Sequence, residues 1–182
     1  DLDKAKAFAA ELGIPKAYGS YEELIADPDI DAIYNPLPNS EHAKWSILCA
    51  EAGKPVLCEK PVGNDLEAAQ NLLSAAARSR TPFQLATKFR HVPEIRKARD
   101  LIMHGVIGDP VTFQVEFAGA VDMSARWNSR HQLSGGGVLI DSGAHTVDFA
   151  QWLVGGITAV RADMSTPIAA RPVRAGASET ET

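Results

Sequence analysis

Glu59 and Lys60 are two ionisable residues that follow directly on the apolar run Val56-Leu57-Cys58 and directly precede Pro61. The run has no helical period and is bounded by turn residues, which is typical of a buried parallel strand. Ligands of open α/β sheets bind outside the carboxyl ends of the strands. Lys60 is therefore a candidate catalytic group, and a plain surface loop is the alternative interpretation of this Lys-Pro turn.

A second set of polar residues, Asp141, His145 and Asp148, is spaced at i, i+4 and i+7 within a helix predicted over 138–154. Three interpretations fit this stripe. It is a solvated helix face with His145 paired to Asp141, a metal site that lacks the His-Glu-x-x-His arrangement, or a general acid/base histidine oriented by a carboxylate. The apolar face of the same helix is expected to consist of Leu139, Val147, Ala150 and Val154.

Apolar periodicity predicts an alternation of helices and strands in the first part of the chain. Helices are expected over 3–12, 20–25, 39–52, 65–79 and 94–104, and strands over 31–35, 55–58 and 83–87. Ser20 with Glu23 is a capping-box pattern that opens the second of these helices. Strands joined by helical crossovers form a parallel sheet with helices on both faces, so we predict a doubly wound α/β (Rossmann) fold. No G-x-G-x-x-G follows a first strand, and we therefore expect a fragment that is truncated at its N-terminus.

The pattern changes after Pro110, where apolar and polar residues alternate strictly over 111–118. This alternation predicts a half-buried strand of an antiparallel sheet, and 157–164 is expected to be another. We predict an incomplete dinucleotide-binding domain at 1–108, with its boundary between 88 and 110. The start of an α/β substrate and oligomerisation domain with a largely antiparallel sheet is expected at 109–182.

Composition narrows the classes of partner. The 182 residues carry a net charge of −5 and no basic run, which argues against a nucleic-acid surface. No apolar stretch approaches the ~20 residues that a membrane span needs. Cys49 and Cys58 lie in apolar contexts and are expected to be buried thiols of a cytoplasmic protein, with a disulfide between them as the alternative.

Two motifs together resemble the Gfo/Idh/MocA family of NAD(P)-dependent oxidoreductases. They are Glu59-Lys60-Pro61 and the run Gly135-Gly136-Gly137-Val138-Leu139-Ile140-Asp141-Ser142-Gly143-Ala144-His145-Thr146-Val147-Asp148. Pro38-Asn39 with His42, and the turn Gly105-Val106-Ile107-Gly108, fit the same pattern. Within the family, the sequence is most similar to the sugar and polyol dehydrogenase or dihydrodiol dehydrogenase type.

The resemblance implies a Rossmann domain and a second domain with the active site between them, a homo-oligomer, and NAD or NADP as cofactor. It implies catalytic roles for Lys60, Asp141 and His145, and a cis peptide bond between Lys60 and Pro61. The cofactor side is implied to consist of Pro36, Asn39, His42, Glu59, Lys60 and Arg90. Trp127 and Arg130 are left out of the predicted site, because the family often has the two residue types adjacent and here Asn128 and Ser129 separate them.

The function implied is oxidation of a secondary alcohol of a sugar, polyol or diol, with His145 as proton acceptor, Asp141 orienting it and Lys60 stabilising the alkoxide. Two alternatives remain at this stage. One is a regulator that binds dinucleotide and sugar without turnover, since a fold does not fix a function. The other is a redox-neutral glycoside hydrolase that uses NAD transiently.

Overall fold

The computed structural model describes residues 1–119 and 126–166. Eleven of its helices and strands carry labels here, and two short 3-10 turns lie at Lys88–His91 and Trp127–Ser129. In chain order they are α1 (Leu2–Leu12), α2 (Tyr21–Ala26), β1 (Ile33–Asn35), α3 (Asn39–Glu51), β2 (Val56–Cys58), α4 (Leu66–Ser79), β3 (Phe83–Leu85), α5 (Pro93–Met103), α6 (His131–Ser134), α7 (Val138–Asp141) and α8 (Gly143–Leu153).

The three strands form one parallel sheet in the order β1-β2-β3. Val56 of the central strand is in register with Ile33 on one side and with Phe83 on the other. Each strand is joined to the next by a helix, as parallel pairing requires. The predicted parallel, doubly wound arrangement of the first part of the chain is confirmed.

Local capping chemistry fixes where the helices begin. Ser20 Oγ accepts a hydrogen bond from the amide of Glu23 (3.1 Å), and the Glu23 carboxylate accepts one from the amide of Gly19 (2.8 Å). Asp65 caps α4 by accepting from the amide of Ala68 at 2.7 Å. These side chains satisfy amides that lack a partner in the first helical turn, so the capping pattern predicted at Ser20 is confirmed.

The core of the first part of the chain lies under one face of the sheet. Ile25, Trp45, Cys49, Val56 and Cys58 are its buried members. Both cysteines are free thiols, and burial raises the pKa of each to about 11. Buried neutral thiols behave as small apolar side chains, which confirms the prediction of buried thiols over a disulfide.

The two segments predicted as strands of a second sheet are not strands. Neither 111–118 nor 157–164 forms a ladder with any residue that the structure describes. Val111 and Val160 are almost fully exposed, and Phe113 is 37% exposed. An alternating sequence creates a strand only when a neighbouring chain segment supplies hydrogen-bond partners, and the described residues supply none to these segments.

Contacts between residues divide the chain into two compact units, which are considered separately. The first comprises 1–37 and 41–85, and the second comprises 38–40 and 86–182. The domain boundary that the sequence placed near 108 stays a prediction, as do the cytoplasmic location and the homo-oligomer. Within the described residues, none of the helices is both long and apolar enough to cross a membrane.

A polar cluster around Asp27 fixes the segment that leads into β1. The Asp27 carboxylate accepts hydrogen bonds from Lys16 Nζ, from the Tyr18 hydroxyl (2.7 Å) and from the amide of Asp29 (2.8 Å). Lys54 Nζ donates to the carbonyls of Asp27 (2.8 Å) and Ile30 (2.6 Å). The hydrogen bond from Lys16, followed by those from Asp29 and Tyr18, holds the pKa of Asp27 far below its ordinary value of 3.8.

We expect Asp27→Asn to lower the urea midpoint of the full-length protein at neutral pH. A depressed pKa means that the carboxylate contributes stability above 3.8 and that this contribution is lost as the pH falls further. The difference between wild type and variant should therefore shrink on acidification below that value. Asp29→Asn is the control, because its carboxylate is 85% exposed and 3.9 Å from Lys16 Nζ. Equal effects of the two variants at neutral pH would contradict the role of Asp27.

Candidate active site

The carboxyl end of the sheet delivers the first predicted site residues. The ladder continues one step beyond the strands, because the amide of Glu59 donates to the carbonyl of Asn35 at 2.9 Å. This bond brings Pro36, which follows β1, and Lys60, which follows β2, to the same edge of the sheet. Both lie where ligands of open α/β sheets bind.

The peptide bond between Lys60 and Pro61 is cis, as the resemblance implied. The Glu59 carboxylate beside it accepts hydrogen bonds from the Tyr34 hydroxyl (2.9 Å) and from the amide of Lys60 (3.3 Å). Burial, and then the hydrogen bond to Glu59, raise the pKa of Tyr34. Tyr34 was not among the predicted site residues, and sequence gave no signal for it because its partner lies 25 positions away.

His42 is almost fully buried, with 1% of its surface exposed, on the first turns of α3. Its Nδ1 lies 2.7 Å from the carbonyl oxygen of Pro61, and its Nε2 lies 2.6 Å from that of Leu37. The ring therefore connects the segment after β1 with the segment after β2. Its predicted place beside the cofactor stays a prediction.

Asn35, at the end of β1, extends this buried network. Its side-chain Nδ2 donates to the carbonyl of His42 (3.2 Å) and to Ser46 Oγ (3.1 Å), and its side-chain Oδ1 accepts from the amide of Leu37 (3.3 Å). Asn35 is 2% exposed and Ser46 is 0% exposed. A buried network in which the polar groups find partners fixes one backbone geometry, because any alternative leaves a polar group unpaired.

Asn39 and Ser40 test whether this edge suits a polar cofactor. The Asn39 amide is occupied, because it donates to the carbonyl of Ser134 at 2.8 Å. The Ser40 hydroxyl oxygen is buried and has no hydrogen-bond partner among the residues that the structure describes. Buried polar atoms are normally hydrogen-bonded. An unpartnered hydroxyl next to this segment is compatible with a polar cofactor rich in hydroxyl and phosphate oxygens, and no residue at this edge conflicts with one among those the structure describes.

The helix predicted over 138–154 is wrong as a single element. It is divided at Ser142 into α7 and α8, and the amide of His145 donates to the carbonyl of Ser142 at 3.0 Å in a tight turn. The backbone of Gly143 packs closely against the Leu139 side chain, because a Cβ on residue 143 would lie 2.9 Å from Leu139 Cδ1. Asp141 therefore ends one helix and His145 lies in the first turn of the next.

His145 is held by an aromatic contact. The ring of Phe89 meets its ring edge to face, with centroids 4.8 Å apart and planes at 86°, and Phe117 lies at 6.4 Å. Asp141 accepts a hydrogen bond from the Asn128 amide at 3.4 Å. Asn128 and Phe89 are additions to the predicted site residues, and neither has a local sequence motif that could have indicated it.

The three residues of the predicted polar stripe, Asp141, His145 and Asp148, are half-buried rather than fully solvated. Asp148 has a side chain that is only 12% exposed, whereas three of the residues expected on the apolar face are exposed: Leu139 53%, Val147 46% and Val154 41%. The fourth, Ala150, is half-buried, and Phe149 beside it is buried. Arg90 compensates the charge of Asp148, so this carboxylate can be buried.

Arg90 forms an ion pair with Asp148 through two of its nitrogens. Its Nε lies 2.9 Å and its Nη2 2.5 Å from Oδ1 of the carboxylate. The guanidinium also lies over the ring of Trp152, 4.9 Å from its centroid, and Arg99 lies over the same ring at 4.1 Å. Planar two-nitrogen pairing of this kind is specific to arginine. The structure thus gives Arg90 a partner within its own unit, and its predicted contact with cofactor stays a prediction.

Metal chemistry has no donor set among the described residues. No group of three or more His, Cys, Asp or Glu side chains in that part of the chain is arranged to hold an ion.

Comparison with known proteins gives two family matches that together run over nearly the whole chain. Residues 1–87 match the family described as "Oxidoreductase family, NAD-binding Rossmann fold", and residues 95–181 match the "GFO/IDH/MocA C-terminal domain".

Curated relatives of this family are identical to the chain at more than a third of the aligned positions. "Uncharacterized oxidoreductase ORF334" of Rhizobium meliloti is 39% identical over 151 residues, which are 83% of this chain and 45% of that protein. "Trans-1,2-dihydrobenzene-1,2-diol dehydrogenase" of Mus musculus is 36% identical over 156 residues, 85% of this chain and 46% of that protein. The chain thus spans just under half the length of these relatives.

A solved structure extends the likeness to the backbone. "Levoglucosan dehydrogenase, complex with NADH and levoglucosan" superposes with a TM-score of 0.84 at 31% identity, over 97% of this chain and 49% of that one.

The pairing of Arg90 with Asp148 predicts a coupling between the two side chains. In a double-mutant cycle of Arg90→Ala and Asp148→Ala in the full-length protein, we expect a coupling free energy of unfolding between about 0.5 and 3 kcal/mol, because either single change leaves a half-buried charge unpaired. Arg161 and Asp163 form the control pair, since both side chains are nearly 90% exposed and the ions are 3.7 Å apart. A coupling no larger than that of the control pair would contradict the prediction.

Proposed function

The chain belongs to the Gfo/Idh/MocA family of oxidoreductases, and on that premise we propose that it forms part of a dehydrogenase of secondary alcohols in sugars, polyols or diols. The observation that carries the proposal is Lys60, delivered by β2 to the carboxyl edge of a parallel sheet and fixed there by the hydrogen bond from Glu59 to Asn35. A cation at that edge suits a reaction in which an alcohol oxygen becomes negative.

The substrate class rests on the relatives. One is a dehydrogenase of a dihydrodiol, and the structural relative holds levoglucosan, a sugar derivative, together with NADH. Both names refer to small molecules of the diol or sugar type. These similarities support a cyclic, sugar-like alcohol as the substrate and NAD as the cofactor of this protein.

His145 is proposed as the group that takes the hydroxyl proton. A neutral imidazole within hydrogen-bond reach of an alcohol accepts its proton in a step worth about 10²–10⁴-fold. The ring of Phe89 packs edge to face against the ring of His145 and favours this orientation of it. Asp141, held in turn by Asn128, is proposed to stabilise the imidazolium that results. The nicotinamide, when bound, accepts the hydride from the alcohol carbon.

Lys60 is proposed to meet the alcohol oxygen as its proton leaves. Its ammonium group favours the developing alkoxide over the neutral alcohol, which lowers the barrier in the forward direction. In the reverse direction the same cation polarises a ketone. One arrangement therefore serves both oxidation and reduction.

The residues predicted on the cofactor side divide by how their side chains are used. Pro36, Glu59 and Lys60 follow the carboxyl ends of the strands, and we propose that they contact the cofactor directly. The polar atoms of Asn39 and His42 are engaged with backbone carbonyls, and those of Arg90 with Asp148. We propose that these three hold the surrounding backbone.

The decisive assay mixes the full-length protein with NAD⁺ or NADP⁺ and a panel of levoglucosan, monosaccharides, inositols and trans-dihydrodiols. We expect the near-ultraviolet absorbance of reduced nicotinamide to rise with at least one pair. Cofactor binding without turnover of any substrate would indicate a regulator instead. Cleavage of a glycoside without net reduction of the cofactor would indicate the redox-neutral hydrolase.

We expect His145→Ala and Lys60→Ala to lower kcat by about 10²–10⁴-fold while the Kd for the cofactor changes far less, because both groups act on the reacting alcohol. His104→Ala and Lys6→Ala are the controls, since both side chains are exposed and the His104 ring contacts the backbone carbonyl of Asp100 at 2.6 Å, within its own helix end. Near-normal kcat in either test variant would refute the role assigned to that residue.

A further inference from the structure

The surroundings of His42 determine how many protons its ring carries. Both of its nitrogens face backbone carbonyl oxygens, those of Pro61 at 2.7 Å and Leu37 at 2.6 Å. A carbonyl oxygen only accepts hydrogen bonds, and a neutral imidazole has a single N–H to donate. With one proton, the ring would hold a bare nitrogen lone pair against a carbonyl lone pair at hydrogen-bond distance, in a site that is 1% exposed.

We propose that His42 is an imidazolium that donates from both ring nitrogens and thereby holds the turn that carries Lys60. One donation anchors the segment after β1 and the other anchors the residue next to Lys60. His42 is in this sense a positioning residue, because it acts through Lys60 and both of its ring nitrogens contact backbone carbonyls. The link to catalysis rests on the proposed function, whereas the double donation does not.

The buried network supports this assignment from a second side. Asn35 Nδ2 binds the carbonyl of His42, and the Asn35 carbonyl oxygen of the main chain binds the amide of Glu59 at 2.9 Å. The helix turn that carries the imidazole is thus tied to the end of β1 independently of the ring. Because the backbone of His42 is held in place, its ring can hold the carbonyl of Pro61 in place through the hydrogen bond from the ring nitrogen.

Charged groups close to His42 along the chain have partners of their own. On α3, the Glu41 carboxylate accepts from Trp45 Nε1 at 2.9 Å and lies 3.9 Å from Lys44 Nζ. After β2, the Glu59 carboxylate accepts from the Tyr34 hydroxyl. The short contacts of the ring are those expected of charge-assisted donation, which is stronger than neutral hydrogen bonding.

Ring-nitrogen NMR of the full-length protein labelled with ¹⁵N-histidine tests the double donation. His42→Gln assigns the signals by their disappearance. At neutral pH we expect both nitrogens of His42 to be protonated and their protons to exchange slowly with water. A single protonated nitrogen overturns the imidazolium, whatever the enzymatic activity proves to be.

Kinetics test the link to Lys60. His42→Leu removes both donors, and we expect kcat to fall about 10²-fold, the effect that a small misplacement of a catalytic group produces. The His42→Gln variant retains one donor group, so its kcat should lie between that of wild type and that of His42→Leu. Cys49→Ala is the control on the same helix, because it creates a cavity in the core without touching either anchored carbonyl.

A combination of variants separates positioning from general destabilisation. If His42 acts through Lys60, His42→Leu costs no further kcat once Lys60 is already Ala. If His42→Leu lowers kcat by its full factor even when Lys60 is Ala, the positioning role is overturned. It is also overturned if His42→Leu alone lowers kcat no more than Cys49→Ala does at a similar Tm. Should wild type show no turnover, the proposed function fails. The crystal structure of the full-length His42→Leu variant then decides the inference, because an unmoved Lys60 turn would refute it.

Discussion

The first unit depends on a buried polar network at the carboxyl edge of its sheet. Asn35, His42 and Ser46 are each 2% exposed or less, so each polar atom must find a protein partner or cost free energy. Most of the partners are backbone atoms of the two segments that leave β1 and β2. The need to satisfy these atoms therefore determines the path of the chain at the place where Lys60 emerges.

The second unit holds its proposed catalytic histidine by different physics. His145 is restrained by the face and edge contacts of aromatic rings, and the helix beneath it by the ion pair of Arg90 with Asp148. Edge-to-face contacts favour particular ring orientations. At His42, by contrast, both ring nitrogens lie at hydrogen-bond distance from backbone carbonyls, which hold the ring to two chain segments. The two rings are thus positioned by different kinds of contact.

Sequence predicted well whatever depends on neighbours along the chain. Helix periodicity, the cap at Ser20 and the crossover order of the strands are local signals, and the structure has the predicted elements in the first unit. Sequence did not predict the partners of Tyr34 or His42, or the break at Ser142. Those features depend on which segments distant in sequence come into contact, and the residue types alone do not predict these contacts. The prediction of a strand at 111–118 was wrong for the same reason, since a strand needs a neighbouring segment to pair with, and periodicity does not show whether one is present.

The orientation of α8 shows why amphipathicity alone can mislead at a functional site. A helix normally buries its apolar face, yet here Val147 is 46% exposed while the Asp148 side chain is 12% exposed. Burial of Asp148 is tolerable because Arg90 neutralises it at hydrogen-bond distance. The same helix also buries the apolar ring of Phe149, so α8 buries one aromatic side chain and one paired carboxylate. The spacing of apolar residues therefore does not by itself predict which side chains of α8 are buried, because an ion pair with a distant arginine can bury a charged residue.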